Sequence, residues 1–193
     1  MTNEKNAIRS EIRRQAMLRS ERWRWQASEA IRRSLERLDA FAQAGSVALY
    51  WSLPGEVFTH DLVERWSRSK RVYLPVMQGD GLILKRSPTG TTAGGCFGVR
   101  PSRAKRPVLR DAVDHRSGVA DRQGTGSGTA RAYDRLLREP GLLKAGVCFD
   151  YQMQERIPHE AHDVAMDLLV CGSDRNAELI ECRRPRSETD KNA

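Results

Sequence analysis

The sequence predicts a single α/β domain with a largely parallel sheet flanked by helices, a Rossmann-like architecture. Short apolar segments of strand length alternate with segments whose apolar residues recur at helical spacing, and glycine or proline separates them. A chain of 193 residues with 39% hydrophobic content is long enough to bury one core. We expect this domain to cover residues 1–172 and a polar C-terminal tail to cover residues 173–193.

The first half of the chain predicts helices followed by strands. Apolar residues follow a helical period from residue 3 to about residue 44, and Ser20 followed by Glu21 indicates a break with a new N-cap. The run SVALYWS predicts a strand that ends at Pro54-Gly55, and FTHDLVERWSRSK predicts an amphipathic helix. A second strand, RVYLPV, follows, and then GDGLILKRS supplies a turn and a third strand.

The second half predicts two more buried strands, KAGVCFDYQ and AMDLLVCG, after an unusual interval. Residues 100–131 have few apolar members, and Asp114, His115 and Arg116 stand where such a sheet needs a central strand. Burying unpaired charge costs several kcal/mol. We therefore expect a surface loop over residues 100–131 and a frayed polar segment after residue 172.

Composition limits the partners and the compartment. The chain has 33 basic against 25 acidic residues, a net charge of +8, which favours an anionic partner such as nucleic acid or a phosphorylated small molecule. No apolar run approaches the roughly 20 residues of a membrane-spanning helix. The segment MTNEKNAIRSEIRRQ lacks the apolar part of a secretory signal, so we expect a cytoplasmic protein. The four cysteines, Cys96, Cys148, Cys171 and Cys182, form no CxxC pair and predict buried free thiols.

The segment GTGSGTARAYDR, residues 124–135, has the glycine density of a loop that binds phosphate through its backbone. It leads into YDRLLRE, which predicts the start of a helix. The lysine that usually completes a phosphate loop is absent. A nucleotide site and a flexible linker both remain open on these residues.

The order of many short pieces resembles the 5-formyltetrahydrofolate cyclo-ligase family, also called 5,10-methenyltetrahydrofolate synthetase. The basic opening helix around KNAIR is similar to that of the family, as are LYWSLPGEVFTHDL, RVYLPV and GGCFGVRP. DRQG, YDRLL, GVCFDYQ and IPHEAHDVAMDLLV then follow in family order. The resemblance covers roughly residues 5–171 and implies an α/β enzyme.

The resemblance implies that ATP and magnesium close 5-formyltetrahydrofolate into 5,10-methenyltetrahydrofolate. ATP would phosphorylate the formyl oxygen, a folate nitrogen would attack the activated carbon, and phosphate would leave. This chemistry depends on positioning and on cationic stabilisation of the transferring phosphoryl group. We expect no membrane contact, and we do not expect nucleic acid as the partner.

The resemblance also assigns the site residues. ATP would be bound by Lys5, Arg9, Gly126, Gly128, Arg131 and Tyr133, with Arg131 and Tyr133 taking part in catalysis. Trp51 and Glu56 would bind the folate, and Asp134 and Asp163 would hold magnesium. By local sequence alone, Lys5 and Arg9 also fit a solvated basic helix face, and Trp51 fits a core position. Glu56 fits a turn or helix-capping acid, and the two aspartates fit caps or salt bridges.

The loop departs from the family pattern, which is approximately Asn-Arg-Leu-Gly-Arg-Gly-Lys-Gly-Tyr-Tyr-Asp. Arg131 stands at the lysine position, Ala130 and Ala132 replace glycines, and one tyrosine is missing. A Cβ is harmful wherever backbone must approach phosphate closely. A ligand-binding pseudoenzyme that has lost turnover is therefore an alternative function. A basic nucleic-acid-binding protein, suggested by Trp23 and Trp25 among arginines, is a second alternative.

A pair of compensated frameshifts would explain these departures. The codons AAC CGG CTC GGG CAC GGC AAG GGC encode NRLGHGKG, and the same bases read one position later give TGSGTARA, the sequence at residues 125–132. Likewise ATC ATC GTT CCG encodes IIVP, and with one preceding G it gives DHRS, the sequence at residues 114–117. Our hypothesis is that residues 100–135 contain local frameshifts, which resequencing of the genomic DNA would test.

Replacing residues 125–133 by NRLGHGKGYY and residues 114–117 by IIVP should raise the rate of methenyl-folate formation sharply. The repair restores glycines that let amides approach phosphate and a lysine that neutralises charge. Loss of one such donor commonly lowers rates about 10²- to 10³-fold. Absorbance of the methenyl product measures the gain. A doubly repaired chain that folds and binds ATP but forms no product would show that the resemblance extends to the fold alone.

Overall fold

The computed structural model describes residues 2–78, 81–87, 106–111, 120–121, 137–138, 141–155 and 164–182. The α-helices within these residues are α1 (Thr2–Met17), α2 (Glu21–Glu36), α3 (Asp39–Gln43) and α4 (His60–Ser67). The strands are β1 (Ser46–Ala48), β2 (Arg71–Gln78), β3 (Gly81–Arg86), β4 (Arg106–Asp111), β5 (Ala120–Asp121), β6 (Leu142–Phe149), β7 (Met153–Gln154), β8 (Leu168–Gly172) and β9 (Ala177–Glu181). A short 3₁₀ helix, Asp150–Gln152, follows β6.

Seven of the described strands form one mixed sheet in the order β3-β2-β1-β4-β6-β8-β9. Strands β2, β1, β4, β6 and β8 run parallel to their neighbours in this group, whereas β3 and β9 join the edges antiparallel. Both edge strands follow their partners after short turns, and a short turn can join only antiparallel strands. The predicted α/β class is confirmed, but the sheet is mixed. The short strands β5 and β7 pair separately.

The prediction of a surface loop over residues 100–131 is wrong at residues 106–111. These residues form β4, which lies between β1 and β6 in the middle of the sheet and pairs in parallel with β6 from Arg106 to Asp111. Without a strand here, the facing backbone groups of β1 and β6 would have no ladder partner, and buried backbone groups are almost always paired. The strand lies upstream of the charged residues 114–117, which are outside the described residues.

The prediction of a frayed tail after residue 172 is wrong at residues 177–181. Strand β9 pairs with β8, and the turn between them closes where the Ser173 amide donates to the Asn176 carbonyl at 2.8 Å. An edge strand of an antiparallel pair keeps one face and one edge in water, so its sequence can be polar. Residues 183–193 lie outside the described residues, and the division into a domain over residues 1–172 and a tail stays a prediction.

The helix break and the first strand also follow from local hydrogen bonds. Ser20 is the N-cap of α2, and its hydroxyl accepts from the Trp23 amide at 3.1 Å, as the sequence predicts. Strand β1 ends at Ala48, earlier than the apolar run SVALYWS predicts. The polar groups of the residues that follow bond to one another within a loop and do not extend the strand ladder.

Two apolar clusters cover the two faces of the sheet. Alternation along β8 is typical of a strand buried on both faces, because Leu168 and Val170 join one cluster while Leu169 and Cys171 join the other. Helices α2 and α4 cover the first face with Ala27, Ile31, Leu35, Leu62, Val63 and Trp66. Cys148, Cys171 and Cys182 are buried thiols outside any disulfide, which confirms the prediction for these three cysteines; Cys96 lies outside the described residues.

A polar network joins α2 to α4 at the rim of this face. Arg32, which is buried, donates to Glu29 and to Glu36, and Glu36 accepts from the Trp66 indole Nε1 at 2.8 Å. Hydrogen bonds from Arg32 lower the pKa of Glu29. The folded state therefore gains stability from the pair above the unfolded pKa of Glu29 and loses it as the pH falls through the lowered pKa.

Gly172→Ala should destabilise the fold by about 1–3 kcal/mol, because there is no room for a side chain at the end of β8. A Cβ at Gly172 would lie 2.5 Å from Ile31 Cγ1 and 2.8 Å from the Ala27 carbonyl oxygen. Gly45→Ala is the matched control, since a Cβ there would make an ordinary van der Waals contact with Arg71 Nη2 at 3.6 Å. Urea unfolding measures both variants. Equal stabilities of the two variants would contradict the close approach of α2 to β8.

Candidate functional site

The carboxyl edge of the central strands carries the candidate site. A loop of residues 49–59 follows β1 and leads into α4, and the 3₁₀ helix at Asp150–Gln152 follows β6. The turn after β6 is fixed because the Phe149 amide donates to the buried Gln152 side chain at 2.7 Å. In open α/β sheets, ligands bind in the crevice outside these carboxyl ends.

Paired hydrogen bonds close the loop after β1. The Thr59 hydroxyl donates to the Tyr50 carbonyl at 2.7 Å and accepts from the Ser52 amide at 3.0 Å. The Thr59 amide in turn donates to the Ser52 hydroxyl at 3.1 Å, and the Tyr50 hydroxyl donates to the Val57 carbonyl at 2.9 Å. All of these bonds are buried, and buried bonds are not weakened by exchange with water. The loop is therefore ordered before any ligand binds.

Helix α2 contacts this loop through hydrogen bonds of Ser28 and helps to fix its position. The Ser28 hydroxyl accepts from the Phe58 amide at 3.0 Å and donates to the Arg24 carbonyl at 2.8 Å. Ser28 is buried, although a serine in a helix is usually exposed. The position of the loop thus depends on the position of α2 against the sheet.

Glu56 has a fixed and buried carboxylate in this loop. Glu56 is 6% exposed. Its Oε2 accepts a hydrogen bond from the Leu53 amide at 2.7 Å, and its own amide donates to the Leu53 carbonyl at 3.1 Å. The turn requires Gly55, whose φ of 95° is in the left-handed region. A buried carboxylate needs hydrogen-bond donors around it. Glu56 is therefore suited to accept from the amino or imino groups of a ligand.

Trp51 lies on the same loop and is 47% exposed. Its ring stacks on His60, with 4.0 Å between the ring centroids and 22° between the planes. The alternative that Trp51 is a core residue is therefore wrong, because about half of its surface is exposed. Sequence reasoning missed His60, since a contact between residues nine positions apart in a loop has no periodic signal.

Helix α1 meets the carboxyl edge beside β6. Ile8 and Ile12 pack with Tyr151 of the 3₁₀ helix, and this packing holds the half-buried Arg9 on the same helix near the edge. Lys5 lies one turn earlier in α1, as the four-residue spacing predicts, and its side chain is outside what the structure describes.

Trp23 belongs to an aromatic cluster at the end of β6 and not to an open surface. Its ring centroid lies 5.5 Å from Phe149 and 5.8 Å from Tyr151, and the Arg19 guanidinium lies 5.0 Å from the Trp23 ring. Trp25 is 56% exposed. The alternative of a nucleic-acid-binding protein loses the support of Trp23, because this ring packs on Phe149 and Tyr151.

The structure thus brings Trp51 and Glu56 onto one loop and places α1, with Arg9, at the same edge of the sheet. The other predicted site residues, Gly126, Gly128, Arg131, Tyr133, Asp134 and Asp163, lie outside the described residues, so their roles stay predictions. Among the residues that the structure describes, no group of three or more His, Cys, Asp or Glu side chains could hold a metal ion. Within the same residues, no helix has the length and apolar character to cross a membrane.

Comparison with known proteins gives one consistent result. The family model described as "5-formyltetrahydrofolate cyclo-ligase family" matches residues 1–172. The 5-formyltetrahydrofolate cyclo-ligase of Haemophilus influenzae is 28% identical over 184 residues, which are 88% of this chain and 98% of that protein. The NMR structure of Aquifex aeolicus 5,10-methenyltetrahydrofolate synthetase is 30% identical, covers 95% of both chains and has a TM-score of 0.69.

A second solved structure agrees in fold. The 5,10-methenyltetrahydrofolate synthetase from Mycoplasma pneumoniae is 21% identical, and the match covers 89% of this chain and 99% of that chain with a TM-score of 0.65. At this identity the likeness supports the fold alone. The chain spans nearly the full length of each of these relatives.

Thr59→Val should loosen the loop after β1 while leaving the sheet intact. The substitution keeps the shape of the side chain but removes the hydroxyl that bonds Tyr50 and Ser52, and one such change commonly costs about 1–3 kcal/mol. Hydrogen exchange of the Ser52 amide should become faster, because that amide loses its acceptor. Thr59→Ser keeps the hydroxyl and serves as the control. Unchanged exchange at Ser52 in the valine variant would contradict the described bonds.

Proposed function

Because this chain belongs to the 5-formyltetrahydrofolate cyclo-ligase family, we propose that it converts 5-formyltetrahydrofolate and ATP into 5,10-methenyltetrahydrofolate, ADP and phosphate. The relatives that it matches are enzymes of this class. The observation that carries the proposal for this chain is the buried carboxylate of Glu56, fixed at the carboxyl edge of the sheet on the same loop as the exposed Trp51. A carboxylate and an aromatic wall suit an amino-bearing heteroaromatic substrate.

Glu56 and Trp51 form the folate half of the proposed site. The pterin ring of the folate carries an amino group and ring N–H donors, and the Glu56 carboxylate can accept from them with charge-assisted bonds. Because the Leu53 amide already fixes Oε2, the carboxylate does not have to reorder when the substrate binds. Trp51 would line the pocket for the same ring and exclude water from one side of it.

The ATP half rests on α1 and on the glycine loop. Lys5 and Arg9 would bind phosphate oxygens, and the packing of α1 against Tyr151 supports a cation at this edge. Gly126 and Gly128 would offer backbone amides, with Arg131 and Tyr133 beside the transferring group. Asp134 and Asp163 would hold magnesium, since carboxylate oxygens suit that ion. When bound, ATP supplies the phosphoryl group that activates the formyl oxygen.

The protein's own contribution is then positioning and electrostatics. Glu56 would orient the pterin ring so that the formyl group points towards the cations of α1 and the glycine loop. Arg9 and Arg131 would stabilise the negative charge that spreads over the phosphoryl oxygens during transfer. Chemistry of this kind does not require a covalent intermediate on the protein.

A ligand-binding pseudoenzyme is the second candidate function, and the sequence of the glycine loop favours it. Ala130 and Ala132 stand where the family has glycines, and this damages the ATP half without touching Trp51 or Glu56. Calorimetry with 5-formyltetrahydrofolate and an absorbance assay for the methenyl product separate the two candidates. Binding with turnover supports the enzyme, whereas binding without turnover supports the pseudoenzyme.

Glu56→Gln should weaken the binding of 5-formyltetrahydrofolate about 10- to 100-fold, because a hydrogen bond to a charged group contributes about 1.5–3 kcal/mol. Glutamine keeps an oxygen for the Leu53 amide, so the loop should keep its structure. Glu64→Gln is the matched control, since that side chain is on the exposed face of α4. Calorimetry measures both. Equal folate affinity in the Glu56 variant would argue against a pterin bound at this carboxylate.

A further inference from the structure

His60 is the first residue of α4, and it contacts two parts of the loop after β1. Its ring stacks on Trp51, and its Nε2 lies 2.8 Å from the Ser52 carbonyl oxygen. A carbonyl oxygen can only accept a hydrogen bond, so Nε2 carries the hydrogen and donates it. The ring is thus held at its edge by the backbone and is stacked at its face on the indole.

This arrangement fixes the orientation of the indole. A surface tryptophan normally samples several rotamers, and ordering it for a ligand costs free energy at the moment of binding. The stack covers one face of the Trp51 ring, and the residue nevertheless keeps 47% of its surface exposed. His60 therefore holds the ring on one face, while about half of the surface of Trp51 stays accessible.

We propose that His60 is a positioning residue that holds Trp51 as a flat wall for the planar, amino-bearing ring of the substrate. The inference rests on the proposed function and adds to it a residue that does not touch the ligand itself. Offset stacking between aromatic rings is a favourable contact, and preorganisation of one partner increases the gain. Glu56 lies on the same loop and accepts hydrogen bonds, so a ring with amino or N–H donors fits both groups.

Two sources could supply such a ring, the pterin of the folate and the purine of ATP. The shared chemistry is a planar heteroaromatic ring with an amino group. We assign the wall to the pterin, because Glu56 and Trp51 are on one loop and α1 with Arg9 is beside β6. Separate titrations with 5-formyltetrahydrofolate and with ATP distinguish the two sources.

Three variants of His60 separate stacking from hydrogen bonding. His60→Phe keeps a flat ring against Trp51 but cannot donate to Ser52, His60→Gln keeps a donor without a ring, and His60→Ala has neither. Glu64→Ala, on the exposed face of the same helix, is the control. The Trp51 fluorescence of each variant is obtained by subtracting the spectrum of its Trp51→Phe counterpart, and acrylamide quenching measures the mobility and exposure of the ring.

His60→Ala should raise the Kd and the KM for 5-formyltetrahydrofolate about 3- to 10-fold, the loss expected for one aromatic contact, with kcat changed less than about twofold. His60→Phe should restore most of the affinity, and His60→Gln should restore little. The Kd for ATP should stay unchanged in all three. In the alanine variant, Trp51 should become more accessible to acrylamide than in the wild type. In the phenylalanine variant, this increase should be smaller.

Each other outcome overturns the inference in a recognisable way. Unchanged folate affinity and unchanged quenching in His60→Ala would refute the role of His60 while leaving the proposed function in place. A larger effect on ATP than on folate would refute the pterin assignment. A wild-type chain that binds no 5-formyltetrahydrofolate at all would refute the proposed function and this role together. A fall in kcat with an unchanged Kd would refute a role in binding.

Discussion

The close approach of α2 to the end of β8 determines the geometry of the candidate site. Gly172 leaves so little space that the Ala27 carbonyl and the Ile31 side chain of α2 take the volume a Cβ would occupy. At this distance of α2 from β8, the Ser28 hydroxyl accepts from the Phe58 amide, and the Trp23 ring packs on the rings of Phe149 and Tyr151. One helix therefore fixes both the loop after β1 and the aromatic cluster after β6, and with them the two sides of the crevice.

The hydrogen bonds within the loop after β1 add a second level of order. Thr59, Ser52 and Tyr50 satisfy one another's polar groups inside the loop, and the same loop carries the buried Glu56 carboxylate and the exposed Trp51 ring. A site made of a fixed carboxylate and a fixed aromatic ring loses little entropy when a rigid bicyclic ligand binds. This arrangement explains how a loop, usually the mobile part of a fold, can support recognition by geometry.

The sequence predicts those parts of the fold whose signals are periodic or local. Helix α2 follows its apolar spacing and its Ser20 cap, and β6 and β8 follow their apolar runs. The sequence does not predict strands β4 and β9. The partners of β4 are distant along the chain, and the residues of both strands are polar or interrupted. In the site, the family resemblance singled out Trp51 and Glu56, whereas the stack of His60 on Trp51 depends on the path of the loop between them. Side-chain contacts of this kind have no linear pattern to find.

The loop from Tyr50 to His60 has a consequence for the evolution of this protein. The hydrogen bonds that fix this loop join residues within these eleven positions, and one further bond joins Phe58 to Ser28 of α2. The glycine loop is encoded some seventy residues later, at residues 124–135. Mutations in that stretch therefore leave the sequence that makes these bonds unchanged. If the protein acts as proposed, recognition of the folate would outlast the chemistry in a gene under relaxed selection, and the protein would pass through a stage in which it binds its substrate without converting it.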